Sequence, residues 1–392
     1  MFDRVLNYHL KPFEKTIFSE MSRLAQRTGA VNLGQGFPDT DGPSEIIEAA
    51  VGALRGGYNQ YPPTRGLPEL RQAVAEHQRR FYGIELDPET EVVATTGATE
   101  GVAASLLALC EPGDEVVVLE PFYDSYAAIV ALAGATLVPV TLRPPCFRLD
   151  LRALAAAITP RTRLILVNSP HNPTGAVLSR VELEGIADLA RRHGLLVVTD
   201  EVHEHLVYDP DVEHLPISTL PGMRERTVSA SSAAKTFSLT GWKVGWVTGP
   251  EELVSAVHTA KQYLTFASGG PFQPAVAAAL GLPDAYFEKF RTELRRKRDL
   301  LAGALARLGF AVFPPRGTYF ITTDIEPLGE RDGLEFCLTL PQRCGVVAVP
   351  NAVFYQDAAK GGGRSQVRFA FCKRDEVLRE AIARLQGLAA RS

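Results

Sequence analysis

Short runs of valine, isoleucine and leucine alternate along this chain with longer stretches whose apolar residues recur every three or four positions. The first pattern predicts buried strands and the second predicts amphipathic helices packed across them. Their regular alternation predicts an α/β fold built on a large, mainly parallel sheet. Strands are expected at EVVATTG, DEVVVLEP, ATLVPVTL, TRLILVNSP, LLVVTDE, RTVSASS and KVGWVTG, which places seven of them between residues 91 and 249. Between two of these, SRVELEGIADLARRH has the spacing of a half-buried helix. After residue 285 the rhythm changes: a long helix over RTELRRKRDLLAGALARLG leads to strand candidates in FAVFPPRGTYFITTDI and SQVRFAFCK, then a last helix in EVLREAIARLQGLAA. A smaller α+β domain is expected there. The division is therefore an N-terminal arm, residues 1–40, contributing to the small domain, a large ligand-binding domain over 41–285, and the small domain over 286–392. GGGRS at 361–365 reads as a flexible turn, and no internal repeat interrupts the pattern.

Composition narrows the function classes. With 392 residues, 46% hydrophobic and 22% charged, the chain can bury a large core. A formal charge of -4 and scattered basic residues argue against a nucleic-acid partner. The five cysteines form no C-x-x-C pair, so neither a disulfide framework nor a metal site is suggested, and a reducing cytoplasm is the expected location. MFDRVLNYHLKPFEK lacks an apolar signal core, and no apolar run is long enough to span a bilayer.

In an open parallel sheet ligands bind beyond the carboxyl ends of the strands, and the chemically distinctive residues cluster there. Lys235 sits in SASSAAKTFSLTGWKVGW, beyond a buried strand and beside a loop that would exclude water, where a neutral amine could bond to an aldehyde cofactor. Asp200 ends the apolar strand LLVVTD and there calls for a cationic partner, which a pyridinium nitrogen would supply. It could also be the N-cap of a following helix. Gly97, Ala98 and Thr99 open a helix whose amides and dipole suit a phosphate, although Gly-Ala-Thr is also a common helix start. Ser232 and Lys243 flank Lys235 and can converge on the same phosphate, one by hydrogen bond and one by charge. Tyr123 can stack on a flat ring or simply pack; Asn172 can donate to a phenolic oxygen or merely form an Asn-Pro turn. Arg368, alone in an apolar strand, is either a carboxylate fork or an edge-strand charge.

The segments VNLGQGFPDTDGP, NQYPPTRGLPELR, VATTGATEG, EPFYDSY, NSPHNPTGAVLS, DEVHEHLVYD, SSAAKTFSLTGWKVGW, GTYF and VRFAFCKRDE, in this order, resemble the fold-type I, class I/II aminotransferases throughout the chain. The likeness is strongest to the group of kynurenine aminotransferases, cysteine-S-conjugate β-lyases, and bacterial methionine, glutamine-phenylpyruvate and N-succinyldiaminopimelate aminotransferases. The resemblance implies the aspartate aminotransferase-like fold, pyridoxal 5'-phosphate as cofactor, amino acid and 2-oxo acid substrates, and a homodimer. It implies that Lys235 carries the Schiff base and moves the Cα proton, that Asp200 pairs with the ring nitrogen, that Tyr123 stacks on the ring and that Asn172 contacts the ring oxygen. Gly97, Ala98, Thr99, Ser232 and Lys243 would hold the phosphate, and Tyr61 would reach it across the dimer. Arg368, helped by Gly36 and Asn172, would bind the substrate carboxylate.

One departure stands out. Most members of the group carry a tyrosine three residues after the aspartate, donating to the ring oxygen, where this chain has His203. An imidazole can titrate near neutral pH, and DEVH also resembles the cystathionine β-lyase branch. Amino-group transfer is the expected reaction. C-S β-elimination, a decarboxylating variant and a catalytically silent cofactor-binding regulator are the alternatives. Phe18, Phe37, Tyr319, Phe320 and Phe354 could line an apolar pocket for aromatic or sulfur-containing amino acids, or be core.

Overall fold

A computed structural model describes residues 5–14, 16–357 and 362–389. The first four residues, Lys15, and the GGGRS turn's Gly361 lie outside the described residues. A two-residue strand, β1 (Val31–Asn32), starts the sheet structure. The seven expected strands follow as β2 (Val92–Thr95), β3 (Glu115–Glu120), β4 (Thr136–Thr141), β5 (Thr162–Asn168), β6 (Leu196–Asp200), β7 (Thr227–Ser232) and β8 (Gly245–Thr248). They form one sheet in the order β2-β8-β7-β6-β5-β3-β4, parallel except for β8, which runs against both neighbours.

The sheet is buried on both sides, as the continuous apolar runs require. Val116, Val118, Leu164, Leu166 and Val198 point to one face and its helices, whereas Val117, Ile165, Val167 and Val197 point to the other. Each such side chain removed from water contributes roughly 1.5–3 kcal/mol, which is why alternation between two apolar faces fixes the register. The helix Arg180–His193 is closed at its start by a reciprocal capping box between Ser179 and Glu182, and at its end by Gly194 in the left-handed conformation.

The remaining strands are β9 (Ala311–Phe313), β10 (Phe320–Asp324), β11 (Val346–Val347), β12 (Val349–Pro350) and β13 (Gln366–Ala370). An antiparallel sheet in the order β12-β13-β10-β9 packs with residues 17–33 around a separate apolar cluster. β1 pairs with β11, and the amide of Ala370 donates to the carbonyl of Leu33, so the early segment is tied to this second unit. The helix Asp284–Arg307 belongs to both units: Phe287 packs beneath the large sheet, while Leu294, Leu301 and Leu305 enter the second cluster. All five cysteines are unpaired thiols.

Two register details decide where the site forms. Asn168, Asp200 and Ala230 stand side by side at the carboxyl ends of β5, β6 and β7. Because β8 is antiparallel, its amino end lies at this same edge, with Gly245 between Ser232 of β7 and Thr95 of β2. That reversal returns Lys243 to the place where β2 passes into the helix Gly97–Leu109. Gly245 has no room for a side chain there: a Cβ would lie 2.6 Å from the carbonyl carbon of Gly97 and 2.8 Å from the Ser231 oxygen. Gly245→Ala should therefore cost about 1–3 kcal/mol in urea unfolding and weaken phosphate binding through the displaced Gly97 turn. Unchanged stability and affinity would contradict this account.

Candidate active site

A cleft of about 380 Å³ opens at the carboxyl edge of the large sheet, facing the second unit. Of the residues singled out in the sequence as site candidates, all line it except Tyr61, Tyr319 and Phe354. Tyr61 is 81% exposed and makes an edge contact with Phe266, away from the cleft of its own chain.

Lys235 projects from the short helix Ala233–Thr236, and its Nζ donates to the carbonyl of Gly36 at 3.2 Å. The same carbonyl accepts from the Tyr319 hydroxyl at 2.6 Å, and the Tyr319 ring lies 5.5 Å from the amine. Burial pulls the Lys235 amine down from its ordinary 10.5 to about 8, so a substantial neutral fraction exists near physiological pH.

Asp200 is buried, and burial pushes its carboxyl pKa upward. Two bonds oppose that shift: the Tyr126 hydroxyl donates to Oδ2 at 2.6 Å and the Val202 amide donates to Oδ1 at 3.2 Å. Asn168 joins the neighbouring strand ends, its Nδ2 donating to the Asp200 carbonyl at 2.8 Å and its Oδ1 accepting from the Asn172 amide at 2.8 Å. No helix follows Asp200; residues 201–206 form turns, so the N-cap reading is excluded. Neither Tyr126 nor Asn168 was among the sequence candidates. Tyr126 had a signal, since it lies three residues after Tyr123 at a helix start and so shares its face.

Arg368, in the middle of β13, is 1% exposed. Its Nη1 donates to Asn172 Oδ1 at 2.9 Å and its Nη2 to the Gly34 carbonyl at 3.1 Å, leaving Nε unpartnered. The guanidinium carbon lies 4.0 Å from the Phe320 ring centre, 4.9 Å from Phe354 and 5.4 Å from Phe18. Burial lowers its pKa to about 10, so it stays charged at neutral pH. The edge-strand reading thus gives way to a buried cation presented to a cleft. Because the Asn172 oxygen faces Arg368, its amide nitrogen is the end left to donate elsewhere. Phe18, Phe37 and Phe320 line the cleft, whereas Tyr319 and Phe354 are packed behind it.

His203 contradicts one expectation. The ring is 2% exposed, edge-on to Tyr319, and neither nitrogen has a hydrogen-bond partner. Burial, with Lys235 and Arg368 nearby, drives its pKa well below 6.5, so it stays neutral rather than titrating near pH 7.

The cleft suits a flat, anionic cofactor with a cationic nitrogen. The buried Asp200 carboxylate makes no ion pair among the described residues, and two buried groups, His203 and Arg368, hold unused nitrogens. Gly97, with φ 75, turns the chain into a helix whose first amides have no acceptor within it. A Cβ at that glycine would lie 3.5 Å from Lys243 Nζ, which puts a cation beside the same amides. A buried amine, a carboxylate at the end of the neighbouring strand and an anion cradle on the amine's other side define a pyridoxal-phosphate enzyme.

Comparison with known proteins gives the particular family. Residues 28–385 match the family model "Aminotransferase class I and II". A probable N-succinyldiaminopimelate aminotransferase of Mycobacterium tuberculosis is 54% identical over 97% of this chain and 98% of the relative. The methionine aminotransferase of Escherichia coli is 38% identical over 95% of this chain and 96% of its own length. A solved structure of an N-succinyldiaminopimelate aminotransferase from Mycobacterium tuberculosis superposes with a TM-score of 0.94 at 53% identity, covering 98% of this chain and 100% of that one. The chain belongs to the class I and II aminotransferases, enzymes that use pyridoxal 5'-phosphate to move an amino group from an amino acid to a 2-oxo acid.

The depressed pKa of Lys235 has a pH signature. Its amine becomes neutral as pH rises through about 8, so uptake of pyridoxal phosphate by the cofactor-free protein should accelerate about tenfold per pH unit below that value and level off above it. The unfolded chain holds that proton up to 10.5, so stability of the cofactor-free protein should rise with pH between about 8 and 10.5. A flat uptake profile measured by stopped-flow absorbance would contradict the assignment.

Proposed function

We propose that this aminotransferase acts on α-amino acids with aromatic or sulfur-containing side chains. The observation that carries the reading is the wall of the cleft: Phe18, Phe37 and Phe320 face it, and its cations are Arg368, Lys235 and Lys243, each already matched to another task. A second reading is favoured by one observation. Past Phe18 and Tyr123 the cleft adjoins a wider one of about 1050 Å³ whose lining includes His9 and Lys11, where the distal carboxylate of a longer substrate could rest. That reading is an N-succinyldiaminopimelate-like substrate, in keeping with the 54% identical relative.

The cofactor supplies an aldehyde that takes up the substrate amine and a cationic ring that draws electrons from the Cα–H bond. The chain does the rest. In this reading Lys235 holds the cofactor and then moves the proton at Cα as a neutral base. Asp200, anchored by Tyr126, would keep the ring nitrogen protonated. Tyr123 would cover the ring, and the Asn172 amide would be the donor to its oxygen. His203, neutral, would add a second donor in place of a phenol. Gly97, Ala98, Thr99, Ser232 and Lys243 would hold the phosphate. Arg368 takes the substrate carboxylate in a charge-assisted fork, with the Gly36 segment closing over it.

We also propose a cytoplasmic homodimer in which Tyr61 completes the neighbour's phosphate site. Its support is an exposed apolar patch of Tyr61, Tyr263, Leu264 and Phe266, and five unpaired cysteines suited to a reducing compartment. Among the described residues no helix is long and apolar enough to cross a membrane. The division of the chain at residues 40 and 285 is part of the same proposal, supported by the two separate apolar clusters.

The test is a substrate panel. Cofactor-loaded protein is mixed with phenylalanine, methionine, kynurenine, aspartate and N-succinyldiaminopimelate, and the cofactor spectrum is followed. Aromatic and sulfur amino acids should convert the cofactor to its amine form at least about tenfold faster than aspartate, a discrimination of about 1.4 kcal/mol. Preference for N-succinyldiaminopimelate would select the second reading, and preference for aspartate would contradict both.

A further inference from the structure

The turn after β6 presents His203 to the cofactor cleft, but its next two residues, Glu204 and His205, do not line that cleft. They meet a third side chain from far away in the chain. His77, on the helix Pro68–Tyr82, has its Nε2 2.7 Å from the Nε2 of His205, across 128 residues of sequence. All three are buried: His77 is 2% exposed, Glu204 5% and His205 6%. One donor atom from each lies within 4.8 Å of the others.

Two further observations point to a missing ligand. Glu204 Oε1 accepts from the Ser231 hydroxyl at 2.6 Å, whereas its Oε2 makes no close hydrogen bond among the described residues, the Tyr82 hydroxyl lying near the carboxyl group. Nearby, neither nitrogen of buried His214 is hydrogen-bonded, and its Nε2 is 3.5 Å from Glu201 Oε2. An imidazole pair accounts for one hydrogen bond and leaves that carboxylate oxygen unsatisfied, a condition that buried polar groups rarely tolerate. There is also a way in: a cleft of about 630 Å³, lined by Tyr82, Glu204, His205 and His214, reaches the group from the surface.

We propose that His77, Glu204 and His205 bind one divalent transition-metal ion of the zinc class, in a structural site separate from the cofactor cleft. Two imidazole nitrogens and a carboxylate are the donor set such borderline ions prefer over calcium or magnesium. Metal–nitrogen bonds of about 2.0–2.1 Å in a tetrahedron separate two nitrogens by about 3.4 Å, so binding opens the imidazole pair by roughly 0.7 Å. Water from the cleft that Glu204 and His205 line would complete the coordination. Glu204, losing its proton on binding, would offset part of the ion's charge, and Glu201 is a second acidic group close by. Filling the site would fasten the helix Pro68–Tyr82 to the turn that carries Val202 and His203. The ion would act on stability, taking no part in the reaction.

The experiment uses the pyridoxal-phosphate-loaded enzyme, freed of metal with a chelator, desalted and titrated with zinc chloride or cobalt(II) chloride. One equivalent of zinc per chain should survive desalting, with Tm raised by roughly 5 °C. Cobalt should give the intense visible absorption of a tetrahedral nitrogen-oxygen site. Both signals should vanish in His77→Gln and Glu204→Gln, while the cofactor absorbance of His77→Gln, remote from the cofactor cleft, is retained. No retained equivalent, octahedral cobalt bands, or binding undiminished in His77→Gln would overturn the proposal. Should the variants fail to fold, anomalous diffraction from cobalt-soaked wild-type crystals decides: a peak among the three side chains supports the site, and its absence rejects it.

Discussion

The structure turns on a carboxylate held where a carboxylate is costly. Asp200 ends a strand buried on both faces, with a phenol and one amide as its hydrogen-bond donors, and burial pushes its proton affinity upward. A cationic ring nitrogen placed against it would relieve that cost and would in turn be kept protonated by it. The adjacent amine is displaced in the opposite sense: burial lowers Lys235 to about 8, which favours the neutral nucleophile. Neither group is satisfied by the other, and that mismatch makes the cleft receptive to the cofactor.

Holding both groups at one edge is the work of the sheet. The register that aligns Asn168, Asp200 and Ala230 follows from apolar side chains packing on two faces, which a one-residue slip would exchange. The antiparallel β8 then brings Lys243 back to Gly97, and Gly245 makes the close approach possible. Arg368 comes from the other unit, and its bond to Asn172 joins the second sheet to the first, while its bond to Gly34 holds the N-terminal segment beside it. A change in how the two units meet would therefore be felt first at Arg368.

The large sheet was legible in the sequence because its seven strands are continuous apolar runs, and most cleft residues because they follow such strands. β1, β11 and β12 were not legible: each is two residues long, too short to show any period. Asn168 was hidden as the last residue of a strand read for its apolar content. His203 was noticed as a departure, but its protonation is set by burial, with Lys235 and Arg368 nearby, which the sequence places far from it. Phe354 and Tyr319 resembled pocket residues by composition but lie behind the cleft wall, while the equally buried Phe320 faces it, a distinction only the folded arrangement makes. His77 and His205 lie 128 residues apart and carry no spacing signature at all.

The central claim is that Lys235 is the group that bonds the cofactor. The direct measurement is to load the protein with pyridoxal phosphate, reduce it with borohydride, digest it and sequence the labelled peptide by mass spectrometry. The account predicts one phosphopyridoxyl group per chain, on Lys235 in the peptide containing SSAAKTFSL. A label on Lys243 or another lysine, with Lys235 unmodified, would contradict it.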